Sequence, residues 1–135
     1  MTISDSSTHA ITRFAHAVDA ALDRVADASA TFMRPEEKID AISVLARVEN
    51  RIAALKLRVF AAADDACEAG AHRTVTDLLS HVTREDRGRV AAECGLAASL
   101  ERFTIVADAM AAGVVSVPKV RVIVAELTDL DLDPD

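Results

Sequence analysis

Histidine and cysteine are the side chains best suited to metal or proton-transfer chemistry, and this sequence scatters them. His9, His16, His72 and His81 each stand apart, none at a metal-ligand spacing from Cys, Asp or another His. His72 and His81 flank one short predicted helix, which allows them to meet Cys67 in space. Cys67 and Cys94 lack a CxxC spacing and read as reduced, packed thiols. Asp64-Asp65 and Glu85-Asp86 are adjacent carboxylate pairs, which point different ways on a helix and suit capping or a solvated surface. No nucleophile elbow, phosphate-binding loop, HExxH pair or dinucleotide fingerprint occurs. The expectation is a chain without catalytic residues, bound metal, cofactor or small-molecule substrate.

The remaining chemistry is that of basic side chains. Arg84, Arg87 and Arg89 cluster, with Arg73, Arg102, Lys119 and Arg121 nearby in sequence. From His72 to Arg121 there are seven basic residues and six acidic ones, so this half is near neutral. A short helix, a turn and a second capped helix in this stretch also suggest helix-turn-helix geometry. Arg84, Arg87, Arg89, Lys119 and Arg121 are therefore the candidate nucleic-acid contacts. Against them stand Glu85, Asp86 and Glu93, which interleave with the arginines as ordinary surface ion pairs do. The formal charge of −7 and a pI near 5.0 also oppose a uniform grip on nucleic acid or anionic lipid.

The elements that position these residues are helices. Of the 135 residues, 51% are hydrophobic and only 3% aromatic, with alanine dominant, and alanine enters a helix without losing side-chain entropy. The fold expected is all-α with a thin core: a long amphipathic helix paired with an N-terminal helix, followed by a cluster of shorter capped helices. Ile11, Phe14, Val18, Leu22 and Val25 form the stripe of the N-terminal helix. Pro35 followed by Glu36 and Glu37 starts the long one. Its stripe, Ile39, Ile42, Leu45, Val48, Ile52, Leu55 and Val59, is expected to continue to a cap at Gly70, a span of roughly 50 Å at about 1.5 Å per residue. A helix that long needs a partner along its length, which makes this stripe the candidate self-association surface.

Beyond Gly70, Thr74 with Asp77 and Thr83 with Asp86 have capping-box spacing, so helices are expected to open at Thr74 and Thr83. Gly88 and Gly95 on one face predict a close helix crossing. Ala111-Ala112-Gly113 ends the next apolar stretch, and Ser116-Val117-Pro118 starts a last helix. The domain layout is a polar, flexible tail over 1–8, one helical domain over 9–129, incomplete on its C-terminal side, and an acidic linker over 130–135. The N-terminus lacks the basic start and apolar run of a signal peptide, and no stretch is long enough to span a bilayer, so a cytoplasmic protein is expected.

Gly70, Leu78-Leu79, Thr83, Ala97 to Leu100, Ala109-Met110-Ala111-Ala112-Gly113 and Val115-Ser116 together resemble the domain-of-unknown-function family 222, the 13E12 repeat family of actinobacteria. The long helix with Ala46-Arg47 and Arg51 is similar to that family's upstream helix. The resemblance covers Glu36 to Leu130. Asp77 departs from it at a position often held by tryptophan, as does Thr104 where a proline often separates two helices. In that family the helical domain often precedes an HNH nuclease module, which is absent from this chain. The resemblance implies a non-catalytic helical domain that assists nucleic-acid engagement or oligomerisation. The alternative is a standalone structural or regulatory module that self-associates and does not bind DNA. The candidate partners are DNA and a second copy of the chain, with no membrane partner.

Overall fold

Proline at a first helical turn and acids beside it, small-residue helices and short polar connectors all take the form that local physics favours. The computed structural model describes residues 8–69 and 72–130, and every regular element among them is helical. The helices are α1 (Ala10–Val25), α2 (Pro35–Ala61), α3 (Asp64–Ala69), α4 (Val75–Thr83), α5 (Arg87–Arg102), α6 (Thr104–Ala111) and α7 (Val117–Asp129), with a 3-10 turn over Ala30–Phe32. The all-α class is as expected. Contacts divide the chain into two compact units, the first ending at Ile39 and the second starting at Asp40, a boundary inside the stretch expected as one domain over 9–129.

In the first unit, His9 caps α1: its Nδ1 accepts from the Ile11 N–H at 3.0 Å, a role the polar lead-in did not announce. No residue of α1 is buried. Ile11 and Val18 of its stripe are half-buried, and Phe14, Leu22 and Val25 are exposed. The α2 start follows the sequence. The Arg34 backbone N–H donates to Glu37 Oε1 at 3.0 Å, and its guanidinium Nε reaches the same oxygen at 3.0 Å. This is the reciprocal half of a capping box, and it holds the Glu37 carboxyl below its ordinary value.

In the second unit, α2 stops earlier than expected. It ends at Ala61, and the chain turns through Ala62 and Ala63 before α3 begins. The Ala62 and Ala63 N–H groups donate to Val59 and Phe60 carbonyls three residues back, at 3.1 and 3.2 Å, tightening the last turn. Ala63 is buried in the core beside this turn, and Asp64 and Asp65 supply the acids of the new first turn. Helix propensity did not betray this break, because alanine suits either geometry. The expected cap at Gly70 lies outside the described residues, as do residues 1–7 and most of the expected linker, 131–135.

Thr74 caps α4 as its spacing predicts, accepting from the Asp77 N–H at 3.1 Å. Thr83 does not open the next helix. It is the last residue of α4, and its hydroxyl donates to the Leu79 carbonyl at 2.7 Å. Arg84 then takes a left-handed conformation, φ 61°, which terminates α4, and Asp86 caps α5 by accepting from the Arg89 N–H at 2.8 Å. The close crossing expected at the glycines is also absent: a Cβ at Gly95 would meet nothing within 4 Å, and one at Gly88 only the Asp86 carboxylate at 3.3 Å.

Phe103, only 4% exposed, breaks the chain between α5 and α6, and Thr104 opens α6. The α6 end is a Schellman turn. The Gly113 N–H donates to the Met110 carbonyl at 2.9 Å and the Val114 N–H to Ala109 at 3.2 Å, with Gly113 at φ 81°. The core is thin, as alanine content requires. Leu57, Phe60, Leu79, Leu96, Leu100 and Val124 surround Val90, Met110 and Val120, which are fully enclosed.

Candidate functional site

The long-helix stripe resolves into different surfaces once the helix is built. At about 100° per residue, Leu45, Val48, Ile52, Leu55 and Val59 share one face, roughly opposite Ala54, Leu57 and Phe60. The latter three are buried in the core, so the former face away from it. Steps of three and four alternate along this outer seam, the 3.5-residue period of a helix matched to a helical partner. Leu45, Val48 and Val59 are exposed, Leu45 by 64%, whereas Ile52 and Leu55 are half-buried. Ile42 is exposed but lies off the seam, and the exposed Ile39 belongs to the first unit. The stripe thus contains a five-residue seam rather than seven equivalent positions.

The basic candidates also separate. Arg84 is the left-handed residue between α4 and α5, and Arg87 forms an ion pair with Asp77. Arg89 lies between Glu85 and Glu93, at 3.4 Å from each. Lys119 and Arg121 are exposed on α7. Of the five, Arg89 and Arg121 line one cleft of about 150 Å³, and Lys56 of α2 joins them there. Sequence reasoning missed Lys56, since nothing in its neighbourhood on α2 refers to α5 or α7. Glu93 lies in the same cleft with its side chain only 12% exposed, and its carboxylate meets Lys56 Nζ at 3.6 Å. Such ion pairing of Arg87 and Arg89 removes much of the free positive charge that the linear cluster suggested.

The dispersed histidines do converge in part. The Cys67 thiol donates to the His72 carbonyl at 3.1 Å, and the His72 and His81 rings lie 5.3 Å apart. Their ligating atoms do not assemble a centre: among the described residues no group of three or more His, Cys, Asp or Glu side chains could hold a metal ion. Cys94 is half-buried, and burial, with the Glu93 and Asp64 carboxylates, pushes its thiol up and away from thiolate reactivity.

A second cavity, of about 250 Å³, lies among α2, α5 and α6, against Leu57, Ala97, Leu100 and Met110. Arg58 and Glu101 are the charged residues of its otherwise apolar lining.

No protein-family model, curated protein or solved structure matches this chain. Among the described residues, no helix is long and apolar enough to cross a membrane.

Proposed function

We propose that the chain is a non-catalytic helical interaction module that pairs with a second copy of itself through the outer seam of α2. The observation that carries this reading is one of burial: among the described residues, none before Ala54 is buried, although Leu45 and Val48 stand on a seam of coiled-coil period. Contiguous exposed apolar surface of that kind marks a contact site in a folded protein.

The seam also matches itself in reverse. In an antiparallel pair centred between Val48 and Ile52, Leu45 meets Leu55 of the other copy and Val48 meets Ile52. A two-fold interface requires such self-complementarity, because the same patch serves both partners. The resemblance to the 13E12 family adds a further role, assisting nucleic-acid engagement beside a nuclease module, which the ion pairing of Arg87 and Arg89 does not favour.

Sedimentation equilibrium over a wide concentration range tests the proposal. Dimer formation that is lost in Leu45→Asp and Val48→Asp is expected, with helical content unchanged. A monomer at every concentration, including one in which the chain's own α1 covers the seam, removes the reading. Association that survives both substitutions removes it as well. Fluorescence anisotropy with duplex DNA at low salt examines the nucleic-acid role, which fails if replacing Arg84, Arg87 and Arg89 by Ala changes nothing.

A further inference from the structure

The cleft among α2, α5 and α7 carries more positive charge than its own carboxylate can use. Lys56, Arg89 and Arg121 enter it from three different helices, and Glu93 is the one acid in its lining; with Glu85 also paired to Arg89, a positive excess remains in the cleft of a chain whose net charge is −7. Glu93 Oε2 meets Lys56 Nζ at 3.6 Å and Oε1 meets Arg89 Nε at 3.4 Å. Both separations exceed the roughly 2.7–2.9 Å of a tight charge-assisted hydrogen bond. An ammonium has three donors and a guanidinium five, so Glu93 occupies a small part of the donor set. Glu85 draws on Arg89 at 3.4 Å, while Arg121 forms no ion pair among the described residues. Ala53, Leu57 and Val117 give the cleft apolar walls, which strengthen charge interactions by excluding water.

We propose that this cleft binds an oxyanion of the phosphate class, free or as a nucleic-acid phosphodiester, between Arg121 and the unoccupied donors of Lys56 and Arg89. Its volume of about 150 Å³ suits a single tetrahedral group. A compact multi-oxygen anion accepts from all three cations at once, as a lone carboxylate at one wall does not. Lys56 borders the outer seam of α2, whereas Arg89 and Arg121 belong to α5 and α7, so phosphate binding is also measured in the Leu45→Asp chain.

Titrating the full chain with inorganic phosphate at constant ionic strength, with chloride as the balancing anion, tests this by backbone amide NMR. Saturable shifts confined to residues around Lys56, Arg89, Glu93 and Val117 are expected. Arg121→Ala should weaken binding by about tenfold or more, the loss of one charge-assisted contact. Arg121 is exposed, so the fold should persist, and circular dichroism checks this. Glu93→Gln removes the competing charge and should tighten phosphate binding, a gain that a purely structural Glu93 would not produce. Competition by a short DNA duplex, abolished in Arg121→Ala, identifies the phosphodiester as the source, and phosphate binding without such competition identifies the free anion. Shifts that chloride reproduces, or equal phosphate affinity in wild type and Arg121→Ala, overturn the proposal.

Discussion

The two ends of α2 have the same helical grammar and different fates. From Ala54 onward the helix buries Ala54, Leu57 and Phe60 in a core shared with α5 and α6, whereas Leu45 and Val48 are 64% and 38% exposed. The hydrophobic spacing is as regular in the first stretch as in the second. Periodicity therefore reports that a helix has an apolar face, and says nothing of whether the cover for that face lies within the chain. In the C-terminal stretch the cover is visible, and its residues can be removed one at a time. In the N-terminal stretch the account assigns the cover to a second copy.

The contrast breaks most visibly in the core. Met110 is fully enclosed, so Met110→Ala should lower unfolding free energy by about 2–5 kcal/mol in urea titration. Leu45→Ala, under dilute monomeric conditions, should change it by only about 0.5 kcal/mol. Equal losses at the two positions would erase the distinction between them.

The turn at Gly113 sharpens the partnered side. A Cβ there would lie 2.7 Å from Arg47 Cγ and 2.9 Å from the Arg47 carbonyl, on a backbone of φ 81°. Asn50 Nδ2 also donates to the Gly113 carbonyl at 3.4 Å. Gly113→Ala is therefore expected to cost about 1–3 kcal/mol, measured by thermal unfolding. The positive φ accounts for part of this loss, and the Arg47 contacts, which place the α6 to α7 turn on α2, for the rest. Removing the α5 cap by Asp86→Ala should cost about 1 kcal/mol in the same assay.

The smallest effect concerns the start of α2. Glu37 has a folded-state pKa below its ordinary 4.5 because it accepts from Arg34. A depressed acid stabilises fully above the ordinary value and loses that contribution as pH falls through the depressed one. The protection of the amides from Arg34 to Lys38, taken relative to intrinsic exchange at the same pH, should therefore fall below pH 4.5, with the core amides around Val90 unaffected in that window. Protection that is flat with pH, or that falls equally in the core, would contradict the local character of this cap.

The sequence made the all-α class readable because alanine content, proline at a first turn and Thr74 with Asp77 act locally. The failures had both local and tertiary origins. Thr83 and Asp86 have the spacing of a box, yet a left-handed Arg84 between them gives Thr83 to one helix and Asp86 to the next. The α2 break at Ala62 is set by burial of Phe60 and Ala63, a tertiary demand that alanine leaves unmarked. Gly88 and Gly95 suggested a crossing, but no neighbour approaches them closely enough to need a missing side chain. For the candidate surfaces, the stripe was legible and its division into a core face and an outer seam was not, since that depends on which side the other helices take. Lys56 escaped because its companions Arg89 and Arg121 are brought to it by folding alone.

Isotope-filtered NOE spectroscopy on a mixture of labelled and unlabelled protein tests the central claim most directly. The account predicts cross-peaks between copies from the methyl groups of Leu45 to Leu55 and of Val48 to Ile52. Intermolecular peaks arising instead from Ile105 or Val122, or none at any concentration, would contradict it.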